Sequence, residues 1–128
     1  MYAYWLSRNL NNQNDSPSQK PKFTITLPPP NVNGYLHVGH YLNATIHDIL
    51  FRYNTIQGKS CEFIFGTDHG GISTEYMIKK ELDLTKQTKY DLGREKYLEY
   101  ADKFKEDKRE NMIYQLKELG CLCSWVGY

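Results

Sequence analysis

The sequence predicts an α/β fold with parallel strands and crossover helices. Two short segments rich in β-favouring residues flank one long segment with helical apolar spacing. Turn-forming residues follow the first strand, and a glycine-rich loop follows the second. A strand, a helix and a strand in so short a stretch are typical of one right-handed βαβ crossover.

The first strand is predicted over residues 23–27 (FTITL), where apolar and polar side chains alternate. Residues 1–22 are interpreted as a lead-in, because residues 9–22 are polar and have no hydrophobic period. Three prolines at 28–30 end the strand, since proline cannot donate to a sheet ladder. The segment 23–128 is therefore expected to hold the α/β domain.

A helix is predicted from about residue 36 to residue 57, because large apolar residues recur there at steps of three or four. These residues are Val38, Leu42, Ile46, Ile49, Tyr53 and Ile56. Gly58 stands where a helix C-cap is expected, and residues 61–65 (CEFIF) form the second predicted strand.

Two further helices are predicted, a short one over about 73–81 and a long one over about 90–119 that Gly120 ends. The long helix carries an apolar stripe and most of the charge, with balanced signs that are typical of a solvated face. The stripe consists of Tyr97, Ala101, Phe104, Met112, Leu116 and Leu119.

Composition narrows the functional class. With 16 Lys and Arg against 15 Asp and Glu, the chain lacks the surplus charge that non-specific nucleic-acid binding requires. No apolar run is long enough for a membrane span. Three cysteines favour reduced thiols, and hence a cytoplasmic protein. A mitochondrial transit peptide in the lead-in is the alternative location.

The first candidate site follows the first strand, where His37 and His40 stand three residues apart in the first turns of the helix. A helix N-terminus attracts anions, and two imidazoles there can donate hydrogen bonds to phosphate oxygens. Gly39 removes a side chain between them, so that a ligand can approach the backbone. The pattern predicts an ATP-type phosphate site that lacks the Walker glycine-lysine motif.

The second candidate site is the loop 66–72 (GTDHGGI), which follows the second strand. Because ligands of open parallel sheets bind beyond the carboxyl ends of the strands, we expect both sites to face one crevice. Asp68 offers a carboxylate for an ammonium group, and Pro28 and Asn31 could shape a small apolar pocket. A helix N-cap is the compatible alternative role for Asp68.

Two plainer interpretations of the histidines stay open. His37 and His40 can be ordinary surface or core residues, since short motifs give many false matches. They can also bind zinc together with Cys121 and Cys123, although the spacing of these cysteines is unlike that of zinc knuckles.

The stretches PPPNVNGYLHVGH (28–40) and GTDHGGI (66–72) resemble the class I aminoacyl-tRNA synthetases, and among them the valyl-tRNA synthetases. Residues 37–40 correspond to the HIGH motif that defines the class. The resemblance is specific over about 23–72 and weaker elsewhere. It implies a Rossmann-like (HUP-type) nucleotide-binding fold, here the N-terminal half of the catalytic domain.

The resemblance also implies roles for the candidate residues. His37 and His40 would be catalytic, binding the ATP phosphates and stabilising the transition state of adenylate formation, with magnesium accompanying the nucleotide. Gly39 would let the adenosine approach the helix.

Asp68 would bind the amino group of valine, and Pro28 and Asn31 would line the amino-acid pocket. The reaction implied is activation of valine by ATP and transfer of the valyl group to tRNA-Val.

The sequence departs from the family at several single positions, namely Asn33, Tyr41, Gly70, Ser73 and Glu75, and in length; Tyr41 is the largest of the single changes. Tyr41 stands where the family usually has alanine, and we expect it to crowd the site. The second phosphate-binding motif, KMSKS, is missing, as are the editing and anticodon-binding parts. We therefore expect little tRNA charging by this chain alone. The alternatives are a non-catalytic remnant or a split-enzyme subunit that requires a second polypeptide.

Overall fold

The structure, a computed structural model, describes residues 2–8 and 20–125. The predicted polar loop over 9–22 therefore lies mostly outside the described residues. The elements in chain order are α1 (Tyr2–Ser7), β1 (Lys22–Thr26), α2 (Val38–Ile56), β2 (Ser60–Ile64), α3 (Ile72–Leu84), α4 (Lys89–Leu92) and α5 (Arg94–Leu119).

The chain divides into two compact units. The first unit comprises Met1–Pro29, Leu36–Gly66 and Ile113–Tyr128, and the second comprises Pro30–Tyr35 and Thr67–Met112. The first unit therefore includes α1, which lies in the predicted lead-in and was not foreseen. The boundary predicted between residues 22 and 23 stays a prediction.

The predicted parallel pair of strands is confirmed in the first unit. β1 and β2 pair in parallel, with Ile25 opposite Phe63, and each begins one residue earlier than predicted. Beyond β1, the Leu27 N–H donates to the carbonyl oxygen of Ile64 at 3.0 Å.

The free edge of β2 is partly covered. The Ile64 carbonyl faces β1, so the preceding carbonyl, that of Phe63, faces the opposite edge. There it accepts a 2.7 Å hydrogen bond from the N–H of Ser124. No other described strand pairs with the outer edge of β1.

α2 forms where the apolar spacing predicts a helix, but it buries a different face. Its buried residues are Ala44, Phe51 and Asn54, and the Phe51 ring lies 6.0 Å from that of Phe63 in β2. The residues that predict the helix are instead exposed, from 49% for Ile46 to 81% for Val38 and Ile56. Gly58, with a φ of 80°, follows the helix as predicted.

In the second unit, the predicted long helix is two helices. Gly93 adopts a φ of 74° and separates α4 from α5. Thr88 caps α4, since its hydroxyl accepts from the Asp91 N–H while the Asp91 carboxylate accepts from the Thr88 N–H. α3 runs three residues beyond its predicted end. The core here consists of Ile78, Leu82, Ala101 and Phe104.

α5 ends directly before Gly120, as the sequence predicts, and this end of the helix belongs to the first unit. Gly120 has a φ of 83°, its N–H donates to the Lys117 carbonyl, and the Cys121 N–H donates to the Leu116 carbonyl. These two bonds form a Schellman motif. The predicted stripe on α5 is largely buried, although Leu119 is 43% exposed.

One ion pair on α2 holds the segment after α5. The Asp48 carboxylate accepts from Arg52 Nε at 2.6 Å and from the buried Leu122 N–H at 2.8 Å. Arg52 Nη2 donates to the Gly120 carbonyl at 2.9 Å, and its guanidinium lies 4.3 Å from the Trp5 ring centroid. α2, α1 and the C-terminal segment are thereby joined.

None of the helices in residues 2–8 and 20–125 combines the length and the apolar character that a membrane crossing needs.

We expect Asp48→Ala to lower the free energy of unfolding by about 1–3 kcal/mol, because the buried Leu122 N–H loses its acceptor. Asp102→Ala is the matched control, since Asp102 forms an exposed ion pair with Lys105, and a change below about 0.5 kcal/mol is expected. Urea denaturation followed by circular dichroism measures both. Equal losses would show that the Asp48 contacts do not stabilise the fold.

Candidate active site

The first candidate site lies at the start of α2, where His37 is the N-cap residue with φ −111° and ψ 175°. The Gly39 N–H donates to His37 Nδ1 at 3.1 Å, and the His37 N–H donates to His40 Nδ1 at 3.2 Å. The two imidazoles thus form a reciprocal capping box, with histidine in both positions.

The capping box determines which ring nitrogen of each histidine carries the proton. A nitrogen that accepts a hydrogen bond is unprotonated, so the neutral rings of His37 and His40 carry their protons on Nε2. The ring centroids lie 3.9 Å apart, and His37 is exposed. The start of α2 therefore offers two neighbouring Nε2–H donors.

The charge of the His40 ring also has a preferred state. Partial burial, and second the charge of nearby His37, lower the pKa of His40 from its ordinary value of 6.5. His40 is accordingly a neutral hydrogen-bond donor at neutral pH, and it can accept from the backbone only in that form.

Gly39 has a steric role beside the predicted one. A Cβ at this position would lie 3.0 Å from Cε1 and 3.2 Å from Nδ1 of the His37 ring. Any other residue would therefore press the imidazole away from its capping position. The glycine makes room for the histidine as well as for a ligand.

Gln115 is a site residue that sequence reasoning missed. Its Oε1 accepts from the Leu36 N–H at 2.9 Å, and its Nε2 lies 3.4 Å from the Leu36 carbonyl oxygen. Nε2 also donates to the Tyr41 hydroxyl at 2.6 Å. Tyr41 is thus accommodated by a hydrogen bond, and Gln115 holds the backbone directly before His37. No local signal marks a contact across 79 residues.

The second candidate site lies in the second unit, where the structure brings Asn31 and Asp68 together in a parallel β-bridge. The Asp68 N–H donates to the Pro30 carbonyl at 2.9 Å, and the Val32 N–H donates to the Asp68 carbonyl at 3.2 Å. Asn31 and Asp68 are both exposed, so their side chains are accessible to a ligand.

The Asp68 side chain shapes its own loop. Oδ1 accepts from the Gly70 N–H at 2.9 Å, which is an Asx turn. The alternative role as helix N-cap is wrong, because Gly71 is the N-cap of α3 and has no side-chain cap bond. Pro28 belongs to the first unit and is exposed directly after β1. A crevice shared by both candidate sites stays a prediction.

The zinc interpretation finds no support. Among the described residues, no three His, Cys, Asp or Glu side chains converge as a metal site. Cys121 and Cys123 are buried free thiols, while His37 is exposed. The hydrogen bond to Cys121, and then burial, raise the pKa of the Cys123 thiol far above its usual range. The thiolate of Cys123 that such a zinc site would require is thus disfavoured.

A family model identifies the class of protein to which this chain belongs. The family model described as tRNA synthetases class I (I, L, M and V) matches residues 1–127, so the chain belongs to this family. The fold is shared with a leucyl-tRNA synthetase from Agrobacterium radiobacter K84, solved with tRNA and LeuAMS. The TM-score is 0.76 at 23% identity, over 97% of this chain and 14% of that one.

Within the family, the sequence is similar to valine–tRNA ligases. It is 43% identical to that of Desulfotalea psychrophila over 125 residues, which is 94% of this chain and 14% of the relative. It is 42% identical to that of Carboxydothermus hydrogenoformans, over 97% of this chain and 14% of the relative. The chain therefore spans about one seventh of the length of these relatives.

The cap predicts that two substitutions of His37 differ in stability. His37→Ala removes the acceptor of the Gly39 N–H and should cost about 1 kcal/mol of unfolding free energy. His37→Asn supplies an oxygen near the Nδ1 position, and asparagine is a preferred N-cap, so a change below about 0.5 kcal/mol is expected. Urea denaturation measures both. An asparagine variant as unstable as the alanine variant would contradict the capping role.

We expect the pKa of His40, measured from its ring ¹⁵N chemical shifts during a pH titration, to lie below 6.5. His37→Asn should raise this pKa only partly, because the burial of His40 remains. A lowered pKa means that the folded state resists protonation. This group therefore leaves stability unchanged above pH 6.5 and reduces it as the pH falls below that value. A midpoint at or above 6.5, or the Nδ1–H tautomer, would refute this account.

Proposed function

We propose that this chain is the N-terminal catalytic part of a valine–tRNA ligase, in which it binds ATP and valine for formation of valyl-adenylate. The observation that carries the proposal is the capping box, which engages both Nδ1 atoms and so leaves two neighbouring Nε2–H donors at a helix N-terminus. The similarity to valine–tRNA ligases supports the choice of amino acid.

In the proposed reaction, a carboxylate oxygen of valine attacks the α-phosphorus of ATP, and pyrophosphate leaves. Negative charge builds on the phosphate oxygens as the bond to pyrophosphate breaks. The Nε2–H groups of His37 and His40 would donate to these oxygens, and because the capping box already holds both rings, little reorganisation of the histidines would be needed. Magnesium would enter with the nucleotide as part of the substrate.

Asp68 is the proposed partner of the valine ammonium group. One of its oxygens is held by the Gly70 N–H, which orients the carboxylate without neutralising it. The β-bridge to Asn31 fixes both backbones, and Pro28 and Asn31 would supply walls for the amino-acid side chain. A small apolar pocket separates valine from threonine by only about a hundredfold, so the whole enzyme would need editing.

Transfer of the valyl group to tRNA-Val belongs to the proposal for the whole enzyme. The 3′-terminal ribose hydroxyl would attack the adenylate carbonyl, and AMP would leave. We place the protein in the cytoplasm, because its cysteines are free thiols and because the proposed role is in translation.

Calorimetric titration of the chain with MgATP and with valine tests the proposal. His37→Asn keeps the cap but loses its Nε2–H, so we expect ATP to bind about 10–100-fold more weakly. Asp68→Asn keeps the Asx turn but loses the charge, so it should abolish valine binding while ATP affinity is retained.

His47→Asn is the matched histidine control, since His47 lies on α2 away from the capping box, where it hydrogen-bonds to the Asn43 carbonyl and stacks on Phe63. It should bind both ligands as the wild type does. Absence of binding by the folded wild-type chain, or equal losses in His37→Asn and His47→Asn, would contradict the proposal.

A further inference from the structure

Gln115 contacts both ends of the short segment that holds the two candidate histidines. This segment is residues 36–41, here named the histidine turn. At its first residue, Gln115 Oε1 accepts from the Leu36 N–H at 2.9 Å. At its last residue, Gln115 Nε2 donates to the Tyr41 hydroxyl at 2.6 Å. One side chain of α5 therefore links the two ends of the histidine turn.

The amide of Gln115 also lies against the peptide group that joins Leu36 to His37. Its Nε2 lies 3.4 Å from the Leu36 carbonyl oxygen. The N–H of the same peptide group, that of His37, donates to His40 Nδ1 at 3.2 Å. In a planar trans peptide the carbonyl and the N–H point in opposite directions. The peptide group is therefore contacted by Gln115 on one side and by the His40 ring on the other.

The backbone of Leu36 depends on Gln115 for its hydrogen bond. Leu36 is 6% exposed, so its N–H is shielded from water. Within residues 2–8 and 20–125, the acceptor of this N–H is Gln115 Oε1. Because buried N–H groups are almost always paired, the histidine turn is favoured in the position where Gln115 reaches it.

Gln115 is itself held in place on α5. The next residue, Leu116, is fully buried, and its carbonyl accepts from the Cys121 N–H in the Schellman motif. A glutamine amide has one acceptor oxygen and one nitrogen with two donors. Here the oxygen and the nitrogen both have partners in the histidine turn. The side chain therefore has no competing partner that would turn it away.

We propose that Gln115 is a positioning residue for the histidine pair, whose rings it sets in place for the phosphate oxygens of ATP through the two ends of the histidine turn. The proposal rests on the proposed function, since ATP is the ligand for which the rings are positioned. Because Tyr41 stands where the family usually has alanine, the second of the two contacts is a feature of this chain.

Gln115→Ala in the full chain tests the proposal. Without the amide, the histidine turn is released, and the ring ¹⁵N spectra of neutral His37 and His40 should gain a measurable Nδ1–H fraction. A loss of stability alone would not change the tautomers of the folded protein. In calorimetric titration, MgATP should bind about 3–10-fold more weakly, because both donors remain but are no longer held in place.

Asn111→Ala is the matched control, since it removes a side-chain amide from the same helix, where Asn111 donates to the Asp107 carbonyl. It should keep the wild-type tautomers and an MgATP affinity within about twofold of the wild type. Circular dichroism shows which variants fold. If Gln115→Ala does not fold, Tyr41→Phe replaces it, because it removes only a hydroxyl that accepts from Gln115 and should change both readouts in the same direction.

The proposal is overturned if the folded test variant keeps the wild-type tautomers, or if Asn111→Ala changes them equally. Altered tautomers in a chain whose wild type does not bind MgATP would uphold the positioning role of Gln115 and refute the proposed function. MgATP binding that His37→Asn weakens and the test variant leaves unchanged would support the proposed function and refute the positioning role.

Discussion

The hydrogen bonds at the start of α2 are the constraint on which the candidate site depends. A helix leaves its first N–H groups unpaired, and here two of the available acceptors are the Nδ1 atoms of His37 and His40. Satisfying the backbone fixes both tautomers and both ring positions. The same bonds that begin the helix therefore leave the Nε2–H groups of both rings as donors.

This use of the helix terminus differs from a glycine-rich phosphate loop. In such a loop, backbone N–H groups point directly at the anion. Here the Gly39 and His37 N–H groups donate to imidazole nitrogens, so the donors that remain for an anion are the ring Nε2–H groups. Gln115 holds Leu36 on one side of the cap, and the missing Cβ of Gly39 leaves space on the other.

Local signals predicted much of the fold. The alternation in 23–27, the apolar spacing in 36–57 and the glycines at 58 and 120 act within a few residues, and each element formed. The break at Gly93 was missed because the apolar period continues across it. Gln115 was missed because its partners are distant in sequence. The histidine pair was predicted as a phosphate site, but its tautomers follow only from three-dimensional contacts.

The apolar residues whose spacing predicts α2 are also the residues that form its exposed face. Selection for burial produces a regular apolar band, and the strongest band on this helix is the one that the described residues leave uncovered. The weaker face, with Ala44 and Phe51, is the one that packs on the sheet. A helix of a doubly wound fold that is apolar on two opposite faces is a buried helix, since only burial on both sides removes both faces from water. The sequence of α2 is thus suited to a helix that is covered on both faces, whereas the described residues cover only the face with Ala44 and Phe51.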